Sequence, residues 1–306
     1  MAAIVGTGLT LAGLKSEFFQ RYDATQTYFA DLSTRIPSTR DKENYKWLGS
    51  IPKMREWGTG RRAAGLRTES YDVDNLKYES TLEVDRDEIS DDQTGQIRVR
   101  VQELAVRAAT HKDYLISQLL INGATTGYNS YDGVTFFNDT HVSGASGNQD
   151  NKLAPAAVAP TDPTVDEFKK AFKAALAAML SFKDDVGDPM SISGGTGLVC
   201  VVAPSMYLTA LEALNATIIS NTTNVLAGAA RVIAFPWLSL ATQWFLLKVD
   251  GVLRPFIFQD REPVEFTALE NQSDEGFRRE KYLYGVRARY RLTYAMWQYA
   301  VVSTFA

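Results

Sequence analysis

The chain has 306 residues, 45% of them hydrophobic, which is enough to build one large or two moderate domains around a core. Its formal net charge of −4 excludes a globally basic surface of the kind that grips nucleic acid. A single cysteine excludes an internal disulfide, and no apolar run is long enough to span a bilayer. The apolar N-terminus lacks a basic start, so no signal peptide is predicted.

The first third of the chain is predicted to form an arm and then a long β-ribbon. Residues 1–45 have the character of an arm, with a short amphipathic segment at 14–22 followed by polar sequence. Residues 46–85 are predicted to form the ribbon, because apolar and polar residues alternate along its second half. Both segments have too few apolar residues to fold alone, so we expect partners to order them.

The first half of the ribbon begins with WLGSIPKMREWGTGRR, residues 47–62, which fits neither a helical period nor strand alternation. The basic part of this half of the ribbon, residues 53–67, begins at Lys53, and two hypotheses remain open for its role. Trp57 among basic residues is typical of proteins that bind single-stranded nucleic acid, although no binding module is recognisable. Alternatively, the segment lies across a second copy of the chain, with its arginines paired with carboxylates.

The clearest predicted element is a long helix over residues 91–122. Apolar residues recur along it at helical spacing, at Ile97, Val101, Leu104, Ala108, Leu115 and Leu119. Ser90 or either of the two aspartates after it can cap the start, and Asn122 with Gly123 suits a left-handed stop. Such a helix is roughly 45 Å long at 1.5 Å per residue, which suits a spine better than a compact domain.

The rest of the chain is predicted to mix strands and helices. Residues 123–163 are rich in turn formers and predict a loop or small hairpin followed by a linker. An amphipathic helix at 166–182, opened by Thr164 or Asp166, precedes a buried strand that contains Cys200. WFLLKVD and RPFIFQD flank a turn at Asp250 and Gly251, which predicts either a hairpin or successive strands, and long alternating strands follow.

Residues that carry catalysis or bind metals do not form a recognisable pattern. His111 falls on the apolar face of the long helix, where we expect a hydrogen-bonded structural histidine. An acid–base or metal-binding pair of Asp139 and His141, and hence a hydrolase, remains an open alternative. However, no third metal ligand lies at a recognisable spacing from this pair. We therefore predict that the protein is not an enzyme and has no catalytic residue, metal or cofactor.

The order of arm, ribbon, spine helix, mixed α/β portion and long final strands resembles the major capsid proteins of tailed phages, which share the Hong Kong ninety-seven fold. Four stretches resemble the Mu-type major head subunits in particular, and they occur in the same order between Tyr45 and Ala300. The four stretches are YKWLGSIPKMREWGTGRR, YDGVTFFNDTH, LLKVDGVLRPFIFQDREPVEF and LYGVRARYRLTYAMWQYA.

This resemblance implies an α+β fold. The implied divisions are an N-terminal arm at 1–45, an extended β-ribbon loop at 46–85, a peripheral domain at 86–163 with the spine helix at 91–122, an axial α/β domain at 164–260, and return strands of the peripheral domain at 261–306. The implied function is a major capsid protein that assembles as pentamers and hexamers into an icosahedral shell around packaged double-stranded DNA. The implied location is the virion, after assembly in the host bacterial cytoplasm.

The resemblance also implies partners: other copies of the chain, a portal, a scaffolding protein, a decoration protein, and DNA held without sequence-specific binding, with no membrane. Because no long charged helical extension precedes the arm, we expect a separate scaffolding protein. The family's procapsids usually expand when DNA is packaged, with the arm and the loop reorienting.

In such a shell, residues 47–62 form the outgoing limb of the extended loop and residues 71–84 form the returning limb. The implied assembly contacts are Trp47, Arg55, Trp57, Arg61, Arg62 and Arg67. Their candidate acidic partners are Glu83, Asp85, Asp87, Glu88, Asp91 and Asp92. An exposed ion pair stabilises by only ~0–1 kcal/mol, so the tryptophans are expected to dominate the contact.

Overall fold

The computed structural model describes residues 11–46, 48, 71–85, 87–88, 95–195, 197–219, 221–269 and 278–306. The helices in this portion are α1 (Leu11–Ala24), α2 (Phe29–Leu32), α3 (Gln96–Asn122), α4 (Val165–Ser181) and α5 (Tyr207–Asn215). The strands are β1 (Ser33–Pro37), β2 (Lys42–Asn44), β3 (Asp72–Asp74), β4 (Leu76–Asp85), β5 (Lys152–Leu153), β6 (Leu198–Val202), β7 (Ile218–Ile219), β8 (Thr222–Thr223), β9 (Arg231–Ala234), β10 (Gln243–Lys248), β11 (Phe256–Leu269), β12 (Lys281–Tyr294) and β13 (Ala300–Thr304). The fold is of the α+β class, as predicted.

One sheet carries the long helix on its face. Its strand order is β1-β11-β12-β4, with β1 parallel to β11 and the other pairs antiparallel. The register of β11 against β12 shifts twice, between Asp260 and Glu262 and again between Glu262 and Glu265, which marks an irregular, bulged stretch of β11. Val101 and Ala105 of α3 are buried in the same apolar cluster as Phe266 of β11, so helix and sheet share one core.

A second sheet, in the order β5-β13-β10-β6-β9, forms the centre of the larger core. All five residues of β6 are apolar and buried, as expected for a strand covered on both faces. Cys200 lies on this strand, as predicted, and burial raises the pKa of its thiol. Phe168 and Phe172 of α4 pack their rings on Trp244 of β10, which fixes this helix on the sheet.

The turn at Asp250 joins the two sheets and does not close a hairpin. Strand β10 belongs to the second sheet, and the next strand, β11, belongs to the first. Of the two alternatives left open by the sequence, successive strands is therefore the one observed. Strand β11 crosses the predicted boundary at residue 260, and β13 lies beside β10 in the second sheet. The predicted division into domains stays a prediction.

The helix ends test the capping predictions. Thr164 caps α4 in a capping box, in which its hydroxyl accepts from the Glu167 amide and the Glu167 carboxylate accepts from the Thr164 amide. Helix α3 begins at Gln96, five residues later than predicted, after Gly95 in a left-handed conformation with φ 74° and no side-chain cap. The predicted acidic caps, Asp91 and Asp92, lie outside the described residues.

The predicted left-handed stop at the end of α3 is wrong. The helix ends at Asn122, but Gly123 has φ −62° and ψ −18°, an ordinary right-handed conformation. Glycine is required there for space, because a Cβ atom would lie 2.5 Å from the ring of Phe137. The carbonyl oxygen of Asn122 accepts from the Thr125 amide, so the following turn, and not a left-handed glycine, satisfies the helix end.

The expectation that partners order the arm is wrong for its described part. Leu14 and Phe18 of α1 are buried against α3 and β11 of the same chain, and the ring centroids of Phe18 and Phe266 are 5.0 Å apart. The four-residue spacing of these side chains gives α1 one apolar face. Burying a Phe side chain stabilises by roughly 1.5–3 kcal/mol, enough to hold a short helix on its own chain.

Candidate assembly interface

The described residues on either side of the segment 46–70 contact each other, and we call this junction the root. Strand β2 pairs antiparallel with β3, and the Tyr45 amide donates to the Tyr71 carbonyl oxygen at 2.9 Å. Tyr45 and Tyr71 therefore bring the two ends of the intervening segment together. The structure supports a single root for this segment, although the predicted ribbon itself lies mostly outside the described residues.

Buried polar contacts fix this root on the first sheet. The Tyr45 hydroxyl donates to Gln259 Oε1 at 2.7 Å, and Gln259 Nε2 donates to Asn75 Oδ1 at 2.8 Å. The hydroxyls of Tyr71 and Thr293 lie 2.8 Å apart. Burial raises the pKa of Tyr45, so its hydroxyl stays protonated and able to donate. The root is a satisfied polar network, which makes it a rigid base.

The predicted loop contacts lie outside the described residues, so their roles stay predictions: Trp47, Arg55, Trp57, Arg61, Arg62 and Arg67. Leu48 is described, and it is buried in the larger core of its own chain. The outgoing limb is therefore held at residue 48.

The predicted acidic partners divide into three groups. Glu83 is paired with Lys281 of the neighbouring strand β12, which holds the pKa of Lys281 above its usual value. Asp85 Oδ1 accepts from the Asp87 amide at 3.0 Å, and the Asp87 and Glu88 side chains are exposed. Asp91 and Asp92 lie outside the described residues. An arginine from a second copy would have to share the Glu83 carboxylate with Lys281.

Strand β4, which carries Glu83 and Asp85, lies at the edge of its sheet and, within the described residues, pairs only with β12. Beside it, between the sheet face and α3, lies a groove of about 380 Å³. Five aromatic side chains contribute to its walls, namely Tyr78, His111, Tyr114, Trp237 and Tyr290. Sequence reasoning missed this groove, because its lining comes from residues scattered between positions 78 and 290.

His111 has the structural role predicted for it. Its Nδ1 lies 2.7 Å from the Tyr290 hydroxyl, and its ring packs edge-on against Tyr78 at 4.6 Å. Burial lowers the pKa of His111, and the charge of Lys112 lowers it further. The ring is therefore neutral near pH 7 and forms part of the aromatic wall of the groove.

The alternative pairing of Asp139 with His141 is not observed. His141 Nδ1 lies 2.6 Å from Asp132 Oδ2, Nε2 lies 3.2 Å from the Phe136 carbonyl oxygen, and the ring stacks on Trp297 at 4.1 Å. Asp139 is exposed, whereas the His141 side chain has no exposed surface. His141 is fully buried by residues of its own chain, so a substrate cannot reach it. The structure therefore does not support a hydrolase built on Asp139 and His141.

The arm is anchored by charged residues that the sequence analysis did not single out. Asp113 of α3 accepts from the backbone amides of Tyr28 and Phe29, at 3.0 and 2.7 Å, at the start of α2. Arg254 donates to the carbonyl oxygens of Ala30 and Ser33 at the other end of α2. The two charges complement the dipole of the short helix, so α2 is clamped at both ends.

The environment of Asp113 is mostly buried. Burial raises the pKa of this carboxyl to about 6, although the two backbone hydrogen bonds and the charge of Lys112 act in the opposite direction. Lys112 itself is buried, with its Nζ 2.9 Å from the Tyr22 hydroxyl and 4.6 Å from the centroid of the Phe29 ring. This cation–π setting ties the end of α1 to the same point on α3.

This architecture recurs in solved phage capsids and capsid-like particles. The procapsid protein of bacteriophage JBD30 aligns with a TM-score of 0.56 and 23% identity over 96% of this chain and 75% of that chain. The mature capsid of bacteriophage PhiM1 gives 0.58 and 10% over 92% and 87% of the two chains. A virus-like particle from Pyrococcus furiosus gives 0.53 and 10% over 95% and 98%. The chain thus has the fold of phage capsid proteins.

The sequence itself narrows this class to one family. A profile of the Mu-like prophage major head subunit gpT matches residues 9–165, 166–238 and 239–305, and the chain belongs to that family. The FluMu major head subunit of Haemophilus influenzae is 22% identical over 89% of this chain and 64% of its own length. The major capsid protein of Escherichia phage Mu is 25% identical over 94% of this chain and 70% of its own length. The resemblance stated from the sequence is confirmed.

Within the described residues, no helix combines the length and the apolar character needed to cross a membrane.

Proposed function

We propose that this chain is a major capsid protein that self-assembles as pentamers and hexamers into the icosahedral head shell of a tailed phage. The observation that carries the proposal is the match to a family of major head subunits along residues 9–305, on a chain that folds like capsid proteins. The shell encloses packaged double-stranded DNA in the virion and is built in the host bacterial cytoplasm. The net charge of −4 suits a container that does not bind DNA tightly.

The loop of residues 46–70 supplies contacts between copies in this proposal. Its root is rigid, and the segment contains six basic and two acidic residues with two tryptophans. Trp47 and Trp57 become buried against a neighbouring copy, and arginines of the loop pair with carboxylates there. A modest contact repeated at every subunit becomes decisive in a closed shell, because association is multivalent.

The other partners follow from the family. The JBD30 capsid occurs decorated with minor capsid protein trimers, which is a property of that phage. We propose that this chain also meets a portal and a separate scaffolding protein during assembly, and that its shell offers sites for a decoration protein. The chain spans 64% of the length of its Haemophilus relative, so partner sites on the remaining length of that relative do not transfer to it.

Binding of single-stranded nucleic acid gains no support from the family match or from the related capsid folds. Its basic segment at residues 53–67 lies outside the described residues. Such binding would weaken steeply and log-linearly with salt, so a salt titration of the chain with a labelled oligonucleotide tests this alternative directly.

Electron microscopy of the purified native assembly tests the proposed function. Closed shells built from pentameric and hexameric units are the expected result for the wild-type chain. Particles of Trp57→Ala are expected to be weakened or absent, and Trp57→Phe, which keeps an aromatic ring, is the matched control. A monodisperse monomer or small oligomer of the wild-type chain, under conditions that preserve native particles, would refute the capsid function.

A further inference from the structure

The groove between α3 and the first sheet exists because small residues face each other across it. Ser80 of β4, Ala108 of α3 and Ala288 of β12 all line the cavity, where larger side chains would bring helix and sheet into contact. Neighbouring layers in protein interiors are normally packed without voids of this size. A volume of about 380 Å³ accommodates a large aromatic side chain together with some of the backbone that carries it.

The walls of the groove suit an aromatic guest. The rings of Tyr78 and Tyr290 lie 4.8 Å apart, and His111 packs against Tyr78, so one wall is a continuous aromatic surface. Tyr114 is 40% exposed at the edge of the cavity. Arg107, also exposed, lines the groove from α3 and can lie over the face of an indole ring, the preferred partner of a cation in such contacts.

Strand β4 turns its acidic side chains away from the groove. Tyr78 and Ser80 line the groove, so the side chain of Glu79 between them lies on the other face of the strand, opposite Arg287 of β12. Its carboxylate accepts a hydrogen bond from the Thr81 hydroxyl at 3.1 Å on that face. The groove itself therefore offers an aromatic wall and the Arg107 cation, a lining that complements an indole ring.

The chain carries a tryptophan at a suitable distance from an anchored root. Trp57 lies 9 residues after Leu48, which is buried in the core of its own chain, and 14 residues before Tyr71, which helps to close the root. At roughly 3.3 Å per extended residue, Trp57 can lie about 30 Å from Leu48, far enough to reach another copy.

We infer that the groove between α3 and β4 is the docking site for Trp57 of a second copy of the chain. This inference rests on the proposed function and names the receptor of the loop contact. The indole is desolvated in the groove and supplies most of the binding free energy.

Cross-linking in assembled particles tests the docking site. Thr59→Cys places a thiol beside Trp57, and Thr110→Cys places a second thiol on the lining of the groove. The native Cys200 is fully buried and does not react. A short bis-maleimide linker is expected to join Thr59→Cys/Thr110→Cys chains into a ladder of multimers on a denaturing gel. The matched control, Thr59→Cys/Val252→Cys, places the second thiol at a fully exposed residue outside the groove and is expected to remain monomeric.

Each outcome of the cross-linking bears on the inference. A ladder in the Thr110→Cys variant alone supports docking between copies. A fast-migrating monomer cross-linked within itself would mean that Trp57 occupies the groove of its own chain and would overturn the inference. Particles that give no cross-link, or an equal ladder in the control, would also overturn it. A wild-type chain that forms no particle refutes the proposed function instead, and electron microscopy before cross-linking separates the two cases.

Filling the groove provides an independent test. Ser80→Leu places a larger side chain in the cavity, and Thr81→Leu places the same side chain one residue along β4, on the other face of the strand. Association of Ser80→Leu subunits is expected to fall roughly thirty-fold per contact, the loss typical of truncating a buried aromatic anchor, while Thr81→Leu assembles like wild type. Circular dichroism of both variants establishes that they fold.

A double variant tests whether Trp57 and Ser80 act through the same contact. Trp57→Ala and Ser80→Leu remove the same contact, so Trp57→Ala/Ser80→Leu is expected to assemble no worse than the weaker single variant. Independent losses that multiply in the double variant would show that Trp57 and the groove do not meet.

Discussion

The arm and the root of the loop are both anchored on the first sheet but differ in what holds them. Arm helix α1 places Leu14 and Phe18 in the core of its own chain, and α2 is clamped by Asp113 and Arg254. The loop has an equally firm root, but its apolar residues are separated by glycines, a proline and arginines, and no run of them gives one apolar face. The difference teaches that two large apolar residues at helical spacing can hold a segment on its own chain, whereas the sequence of the loop offers no such face.

Phe18→Ala is expected to have the largest effect on this comparison. The side chain is fully buried between α3 and β11, so its truncation is expected to lower the free energy of unfolding by about 3–5 kcal/mol. Urea unfolding of the unassembled subunit measures the loss, and Phe19→Ala, at a half-buried neighbour, is the control. An effect as small as that of Phe19→Ala would show that α1 does not depend on its own chain.

Trp57→Ala is expected to show the opposite behaviour. If its indole docks on a second copy, truncation leaves the unfolding of the isolated subunit unchanged and weakens assembly by about 2 kcal/mol or more per contact. Urea unfolding and particle yield are measured on the same preparation. A loss of subunit stability comparable to that of Phe18→Ala would erase the distinction between arm and loop.

Asp113→Ala is expected to lower the free energy that holds α2 of the arm on α3 by about 1–3 kcal/mol. The change leaves the amides of Tyr28 and Phe29 without their acceptor in a mostly buried place. Asp113→Asn keeps an oxygen that accepts from both amides and is the matched control. Limited proteolysis after Arg21 or Lys15 reports release of α1, and equal cleavage of both variants would contradict a clamp built on these hydrogen bonds.

The same carboxyl predicts a pH dependence. The pKa of Asp113 is about 6 in the folded chain, above its ordinary value of 3.8, so the folded state binds this proton more tightly than the unfolded state. The resulting stability is fully present below about pH 4 and is lost as the pH rises through 6. The free energy of unfolding of the wild type is therefore expected to rise relative to Asp113→Asn as the pH falls from 7 to 4. Parallel profiles would contradict this assignment.

Glu83→Gln is expected to have the smallest effect. The pair with Lys281 is exposed at the sheet edge, so urea unfolding of the subunit should not change measurably. If Glu83 also receives an arginine from another copy, particle yield should fall and become less sensitive to salt. An unchanged yield across salt concentrations would remove Glu83 from the acidic partners of the loop.

The features predicted correctly from the sequence are local. The helix start at Thr164 (one of its two candidates), the buried strand around Cys200 and the helix that bears His111 each depend on residues a few positions apart. The resemblance of four short stretches to Mu-type head subunits supplied the family, which local patterns alone do not specify.

The features that were wrong or missed depend on residues distant in sequence. Gly123 is required by the ring of Phe137, and His141 pairs with Asp132 because the intervening chain turns back on itself. The groove requires Ser80, Ala108 and Ala288 to meet across a helix and a sheet. No periodicity in a single segment reports such encounters, since they are set by how the elements pack.

The parallel pairing of β1 with β11 has a consequence for how the chain folds while it is being synthesised on the ribosome. Ser33 pairs with Phe256, and Pro37 pairs with Asp260. More than 200 further residues must therefore be synthesised after β1 before its partner strand exists. Phe266, which receives Phe18, is made later still. Contacts this distant in sequence form late in folding. A nascent chain therefore completes its arm only near the end of synthesis, and truncated translation products lack the contacts that hold the arm.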